Sequence, residues 1–471
     1  MNILLIDPPY DYDQIGGAKQ NFRAVLNRIP SLGLAYLAAV AEKKGHQVKI
    51  IDCTFKEAYD NLAADAKLFD PGLVGISATT PSFPSAALVS AALRKILPEA
   101  VFVCGGAHPT ACPQDCLNTN LFDFLVLGEG EETFLELIAH LENKPGHILE
   151  NIKGLAFKRA ERVIINAVRE KIVDLDALPF PARHLLRPLS DYQPTPASYR
   201  RLPVGVLMAS RGCPSRCVFC DRSVFGERFR SRSAANVMAE VEELIGKYGA
   251  KEIRFFDDTF TQDSKFVQEI CLALSKLRPK IPWTCLTKVS AVNFAMLKLM
   301  RDSGCWQVLF GLESGDDGVL KHLGKGNTVQ QNKKAVLWAR QAGLSIRADF
   351  LVGSPWETKA SLKKTSEFAN SLPLDFAHFN KFVPLPGTAI YRDLVAQGCR
   401  FDFSRGFYIN NHNDFAYLPG DFSRLEYAKL LNLAYKNFYL RPGYLLRRLI
   451  SLRSFTEAWG QFRGLTSILS L

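Results

Sequence analysis

Short continuous apolar runs alternate with longer amphipathic stretches along the first third of the chain. MNILLID (1–7), QVKIID (47–52), LVGISA (73–78), VFVCGG (101–106) and FDFLVLG (122–128) read as strands. Leu32 to Lys44, Pro84 to Leu97 and Glu131 to Leu141 read as the helices between and after them, the first ended by Gly45. Runs that are apolar throughout, rather than alternating, belong to strands buried on both faces, so the expectation is a parallel, doubly wound sheet. The pattern breaks at about 142: GLAFKRAERVIINAV (154–168) predicts a hairpin, and Pro179, Pro181, Pro188, Pro194 and Pro196 interrupt any helix. From 203 onward strands and helices alternate again. Strands are expected at 204–210, 252–258, 283–289, 308–314, 346–353 and 376–383, and helices near 233–248, 263–277, 293–303, 328–342 and 358–371. That repetition predicts a partial (β/α)6 TIM-like barrel, whose site would lie at the carboxyl ends of its strands. The expected organisation is α/β: a Rossmann-like domain (1–142), a hairpin and proline-rich connector (143–202), the barrel (203–425) and a short basic helical tail (426–471).

With 47% hydrophobic and 22% charged residues, the chain is not wholesale disordered. Its +11 charge permits anionic partners, but no recognisable nucleic-acid motif accompanies it, so no specific nucleic acid is expected. No apolar run reaches the roughly 18 residues of a spanning helix, and MNILLIDPPYDYD lacks the basic and apolar regions of a signal peptide. The protein is therefore read as cytoplasmic. Lys436 to Arg463 interleaves six basic residues with aromatics and leucines. Two fates are open to this tail: a peripheral contact with an anionic membrane face, or a helix capping the barrel. In a cytoplasmic chain the eleven cysteines are not a disulfide framework, and most read as small buried hydrophobes.

The loops after the first five strands carry Pro8, Pro9 and Tyr10; Ser77 and Thr79; Gly105, Gly106 and His108; and Gly128, Glu129 and Gly130. Ligands of open α/β sheets lie at this edge, although the G-x-G-x-x-G fingerprint of a dinucleotide site is absent. GGAHPT (105–110) and GEGEETF (128–134) resemble the cobalamin-binding domain that opens one class of radical S-adenosylmethionine enzymes, which includes class B methylases and the anaerobic magnesium-protoporphyrin ester cyclase. That resemblance implies that the loop residues just named contact cobalamin, His108 within the cradle of the corrin tail. Asp7 is followed by Pro-Pro-Tyr, not by a D-x-H-x-x-G motif, so cobalamin is expected without an axial histidine from this loop.

Cys213-x3-Cys217-x2-Cys220 stands on a loop leaving a strand. Three close thiolates suit an iron–sulfur cluster or zinc, and structural zinc requires a fourth ligand that nothing nearby supplies. On a four-iron cluster, three cysteines leave one iron open. With Phe219 before the last cysteine, the spacing is similar to the signature of radical S-adenosylmethionine enzymes. The resemblance implies a 4Fe-4S cluster on these cysteines, S-adenosylmethionine on the open iron, and reductive cleavage to a 5′-deoxyadenosyl radical. It further assigns Asp257 and Asp258 to the methionine amino group and Glu313 and Ser314 to the ribose. Arg347 is assigned to the carboxylate, Gly353 to the adenine, and Pro384 to the loop after the sixth strand. The expected reaction is hydrogen abstraction from an unactivated carbon of an unknown substrate, then methyl transfer or ring formation, with flavodoxin or ferredoxin as electron donor. Two alternatives remain at this stage: a methylthiotransferase acting on tRNA or protein, and a non-catalytic cobalamin or iron–sulfur sensor.

Overall fold

A computed structural model describes residues 1–9, 27–146, 148–403 and 415–451. In the first unit β1 (Asn2–Asp7), β2 (Gln47–Asp52), β3 (Leu73–Ser77), β4 (Val101–Gly105) and β5 (Phe124–Val126) are parallel, in the order β2-β1-β3-β4-β5. Successive side chains of a strand face opposite ways, and β1 shows why its run contains no polar gap. Leu4 and Ile6 enter one core with Ala66, Val89 and Leu93, while Ile3 and Leu5 enter the other with Leu34, Phe134 and Leu137. The expected hairpin forms as β6 (Leu155–Arg159) and β7 (Arg162–Ile165), but it is part of the sheet, not of the connector: β6 pairs antiparallel with β5. Without it the short β5 would end the sheet on an open edge, and Leu155, Ala156 and Phe157 would lose their burial.

In the second unit β8 (Val204–Leu207), β11 (Glu252–Phe255), β12 (Trp283–Thr287), β13 (Cys305–Glu313), β14 (Ser345–Val352) and β15 (Phe376–Lys381) run parallel in chain order. The first expected strand ends sooner than its apolar run. Ser210–Arg211 form a separate strand, β9, paired antiparallel with β10 (Arg230–Ser231), and this two-residue ladder closes the base of the cysteine loop. β8 and β15 do not pair, so the barrel is open and has two edges to satisfy. The outward carbonyl of Val206 on β8, and that of Met208 just past its end, accept from the guanidinium groups of Arg183 (2.8 Å) and Arg232 (3.1 Å), and both arginines pair with the buried Glu240. On β15 the hydroxyl of Tyr435 accepts from Phe379 N–H (3.1 Å) and donates to its carbonyl (3.2 Å). Tyr439 does the same for Ala377, at 3.1 and 2.9 Å. Two tyrosines four apart on the helix Arg424–Tyr439 thus stand where a seventh strand would.

The described part of the basic tail packs on the barrel. Tyr444 donates to Asp375 O (2.9 Å), Arg447 to Leu374 O (2.6 Å), and Arg448 lies 4.6 Å from the centre of the Phe376 ring. Residues 452–471, with Arg453 and Arg463, fall outside the described residues. Among the described residues no helix is long and apolar enough to cross a membrane.

Replacing Tyr435 and Tyr439 together by Phe keeps both rings and removes only the hydroxyls. Backbone groups that lose their only partner cost about 1–3 kcal/mol each. The double variant should unfold at lower urea than wild type, with an unchanged m-value. An unaltered midpoint would show that water satisfies the β15 edge equally well.

Candidate functional site

The cysteine loop leaves β9 through Gly212, whose φ of +86° is a left-handed conformation. An added Cβ there would run into the Arg228 carbonyl. The carboxyl ends of the barrel strands hold the loop from several sides. Asp258 accepts from Gly212 N–H (3.1 Å), and Lys288, just beyond β12, donates to Ser215 Oγ (2.6 Å). Val218 N–H bonds the Leu323 carbonyl, and Val218 O accepts from Ile390 N–H, both at 3.1 Å. Cys213 and Cys217 are half-buried and Cys220 is exposed. Burial works against ionisation of Cys213, but its hydrogen bonds with Ser215 and Thr259 outweigh it and lower its pKa. The Cys217 thiol is raised by burial, against the pull of Lys325. Among the described residues no three His, Cys, Asp or Glu side chains converge tightly enough for a single metal ion. Three thiolates on one loop suit a 4Fe-4S cluster with one iron left open.

The residues singled out from sequence fall into two groups. Phe219 is part of the cysteine loop itself, Asp258 bonds its first residue, Glu313 pairs with the lysine beside its cysteines, and Pro384 opens a loop whose Gly387 abuts Asp221. Glu313 has a φ of +63° at a bulge between Gly311 and Glu313, rare for a residue with a side chain. Its carboxylate accepts from Lys325 (2.7 Å), whose ammonium also lies beside Cys217 and Cys220 and 5.8 Å from the centre of the Phe219 ring. The other group supports from behind. Asp257 is buried and accepts from Ala209 N–H (3.3 Å) and from the Ser210 hydroxyl; burial pushes its carboxyl up to about 7. Ser314 bonds Thr365 Oγ1 (3.1 Å) and caps the next turn. Gly353 abuts Tyr427, and its N–H donates to Glu357 (3.2 Å). Arg347 is the third residue of β14, short of the carboxyl end, and bonds His378 Nδ1 (3.0 Å) on β15.

On the first unit, Ser77, Gly105, Gly106, Gly128, Glu129 and Gly130 line one cavity of about 140 Å³. Gly106 has a φ of +111°, and a Cβ there would approach Ala78 O to 2.6 Å. Gly33, on the facing helix, leaves room where a side chain would project into the space. The second unit closes the cavity with Met208, Arg211, Val224 and Phe225. Pro8 and Pro9 are buried after β1, and Tyr10 lies outside the described residues. Thr79 bonds Ser82 in its own turn and does not line the cavity. His108 does not line the cavity. It is buried against Phe83 (ring centroids 4.3 Å apart) with Nδ1 3.2 Å from Thr80 Oγ1, and burial lowers its pKa to about 4. Glu129 lines the cavity, but its carboxylate is held by arginines of the second unit: Arg211 at 2.9 Å and Arg230 at 2.9 Å, with Ile172 N–H at 3.0 Å. Glu131 adds a second bond to Arg211 (2.6 Å). Lys288, Lys325, Arg211 and Arg230 were not legible as site residues. Arg211 alone had a local signal, standing two residues before Cys213.

Comparisons with known proteins agree with this division. The radical SAM superfamily model matches residues 207–369, and the B12 binding domain model matches residues 20–138. The chain is 36% identical over 458 residues to an uncharacterized methyltransferase of Pyrococcus horikoshii, covering 97% of this chain and 96% of that protein. It is 30% identical over 425 residues to the cytidylyl-2-hydroxyethylphosphonate methyltransferase of Streptomyces wedmorensis, covering 78% of each. The structure of the cobalamin-dependent S-adenosylmethionine radical enzyme OxsB shares the fold, with a TM-score of 0.75 at 16% identity over 99% of this chain and 70% of that one.

Burial pushes the Glu357 carboxyl up to about 7, against the bonds it accepts from Ser361 and Gly353. The folded protein holds this proton more tightly than the unfolded chain does. The associated stability is therefore whole below the ordinary glutamate value and is lost as pH rises towards 7. Glu357→Gln keeps the shape and removes the titration. Urea unfolding of variant and wild type should diverge between about pH 4.5 and pH 7, the variant gaining on the order of 1 kcal/mol per pH unit. Parallel curves through that window would contradict the shift.

Proposed function

The chain belongs to the radical S-adenosylmethionine enzymes that carry a B12 binding domain, and we propose that it methylates an unactivated carbon of a small substrate at the seam between its two units. The observation that carries this reading is the shared wall: the glycine cavity of the first unit is closed by Arg211, two residues from the first cysteine of the loop. Groups held by these two features would face a common space. Cys213, Cys217 and Cys220 would hold a 4Fe-4S cluster, and the cavity would take the nucleotide tail of cobalamin. The loop after Asp7 contains no histidine, so cobalamin would be held there without one. When bound, the cluster and S-adenosylmethionine supply a 5′-deoxyadenosyl radical that removes a hydrogen atom, and cobalamin supplies the methyl group.

The chain's own residues bind and shield. Glu313, held by Lys325, and Asp258 stand at the strand ends beside the cysteines, where they would orient the ribose and amino groups of S-adenosylmethionine. Asp257 fixes the stem of the cysteine loop through Ser210 instead of meeting the ligand. Gly353 supplies backbone at the end of β14, and Arg347 acts deeper in the barrel through His378. Methyl transfer is favoured over ring formation because both of the relatives described above are methyltransferases. A one-electron donor of the flavodoxin or ferredoxin type would reduce the cluster.

Anaerobic reconstitution tests the reading. Wild type should hold about four irons per chain and, with dithionite and S-adenosylmethionine, release 5′-deoxyadenosine. Cys217→Ala should lose both the iron and the product. A fully loaded wild type that releases no 5′-deoxyadenosine would overturn the radical mechanism, and about eight irons per chain would favour a methylthiotransferase.

A further inference from the structure

Both stems of the cysteine loop end on the same carboxylate of the other unit. Arg211 and Arg230 are paired across the β9–β10 ladder, and their guanidinium groups meet at Glu129. Glu129 lies in the loop that walls the glycine cavity, and the neighbouring Glu131 takes the free end of Arg211. The Arg211 guanidinium lies 5.1 Å from the Tyr36 ring centre and 5.2 Å from that of Phe225, one residue from the helix and one from the cysteine loop, both lining the cavity. A second tie, Lys171, donates to the carbonyls of Ser223 (2.9 Å) and Val224 (2.6 Å) in the far half of the loop. All four network side chains are almost fully excluded from solvent. Their attraction is therefore little screened, and none can shift without leaving a buried charge unpaired.

We infer that Arg211 and Arg230 are positioning residues that couple the two cofactor sites: a ligand filling the glycine cavity strengthens the hold of the cysteine loop on its cluster. The inference rests on the proposed function for the identity of both groups. A ligand in the cavity presses on the Glu129 loop, Val224 and Phe225 together, and so favours the loop arrangement in which Glu129 grips both stems. A cluster that orders the loop favours the same arrangement. Such linkage is reciprocal: each ligand must raise the affinity of the other by one shared factor.

The test follows iron loss from the anaerobically reconstituted full chain under EDTA, counted on desalted samples with and without hydroxocobalamin. In wild type, hydroxocobalamin should slow iron loss by about five-fold or more, and cluster-loaded protein should bind hydroxocobalamin tighter than cluster-free protein. Glu131→Gln removes the charge that anchors the second arm of Arg211 and so loosens the grip of that stem on Glu129; it should bind both groups yet show a coupling reduced to about two-fold or less. Wild type that binds hydroxocobalamin with no change in iron loss overturns the inference and leaves the proposed function standing. Wild-type protein that does not bind hydroxocobalamin at all overturns that function and the inference with it. Full coupling retained in both Glu131→Gln and Arg211→Lys would assign it to contacts other than this network.

Discussion

Two arginines and two glutamates buried between the units set the geometry on which the site depends. Each side chain of Arg211, Arg230, Glu129 and Glu131 is at most 7% exposed. Taking four charges out of water is costly, and their mutual attraction does little more than offset that cost. Their value lies in what they forbid. Removing one partner strands a buried charge, a loss of about 3–5 kcal/mol, so the units have one relative placement with every charge met and no nearby alternative. An apolar interface of the same area tolerates sliding; this one does not. The cavity has walls from both units only in that placement, and the cysteine loop stands beside it only because its two stems are fastened there.

An open barrel raises a second constraint. A six-stranded parallel sheet that does not close leaves two edges whose backbone groups need partners. The protein answers with side chains rather than strands: arginines on β8, tyrosines on β15. The connector is part of the first answer. Arg183 comes from the 3-10 turn Arg183–Leu185 in its proline-rich stretch, and Ala182 N–H bonds Ala35 O on the helix Leu32–Lys43 (2.9 Å). The segment that crosses between the units therefore caps one and braces the other. The basic tail provides the second answer, and its aromatic and arginine content is explained as far as residue 451 by contacts with β15 and the turn before it.

The first sheet was legible because most of its strands are buried on both faces and read as continuous apolar runs; in the barrel, β14 and β15 alternate buried with half-buried positions, and the regular succession of strands and helices carried the reading. The cysteine spacing was legible because its ligands lie within eight residues of one another. What escaped depends on contacts far apart in sequence. Arg230 and Glu129 are 101 residues apart, and Tyr439 and Ala377 are 62 apart. The hairpin was visible as a hairpin, but its membership of the first sheet depends on the open edge of β5, which no local pattern encodes. The surroundings of His108 escaped for a similar reason: the Thr80 it bonds is 28 residues away.

Glu313 shows how strain and site coincide. A left-handed backbone at a residue with a side chain costs on the order of 1–3 kcal/mol, and glycine would relieve it. The bulge turns the Glu313 carboxylate back over its own strand, into the space a Cβ at Gly311 would occupy, where Lys325 Nζ would come within 2.8 Å of that Cβ. Glycine at 311 and glutamate at 313 are thus the arrangement that lets the Lys325–Glu313 pair form above the strand end, next to Cys217 and Cys220. The observed order spends backbone energy to hold a carboxylate and an ammonium at the mouth of the barrel, beside Cys217 and Cys220.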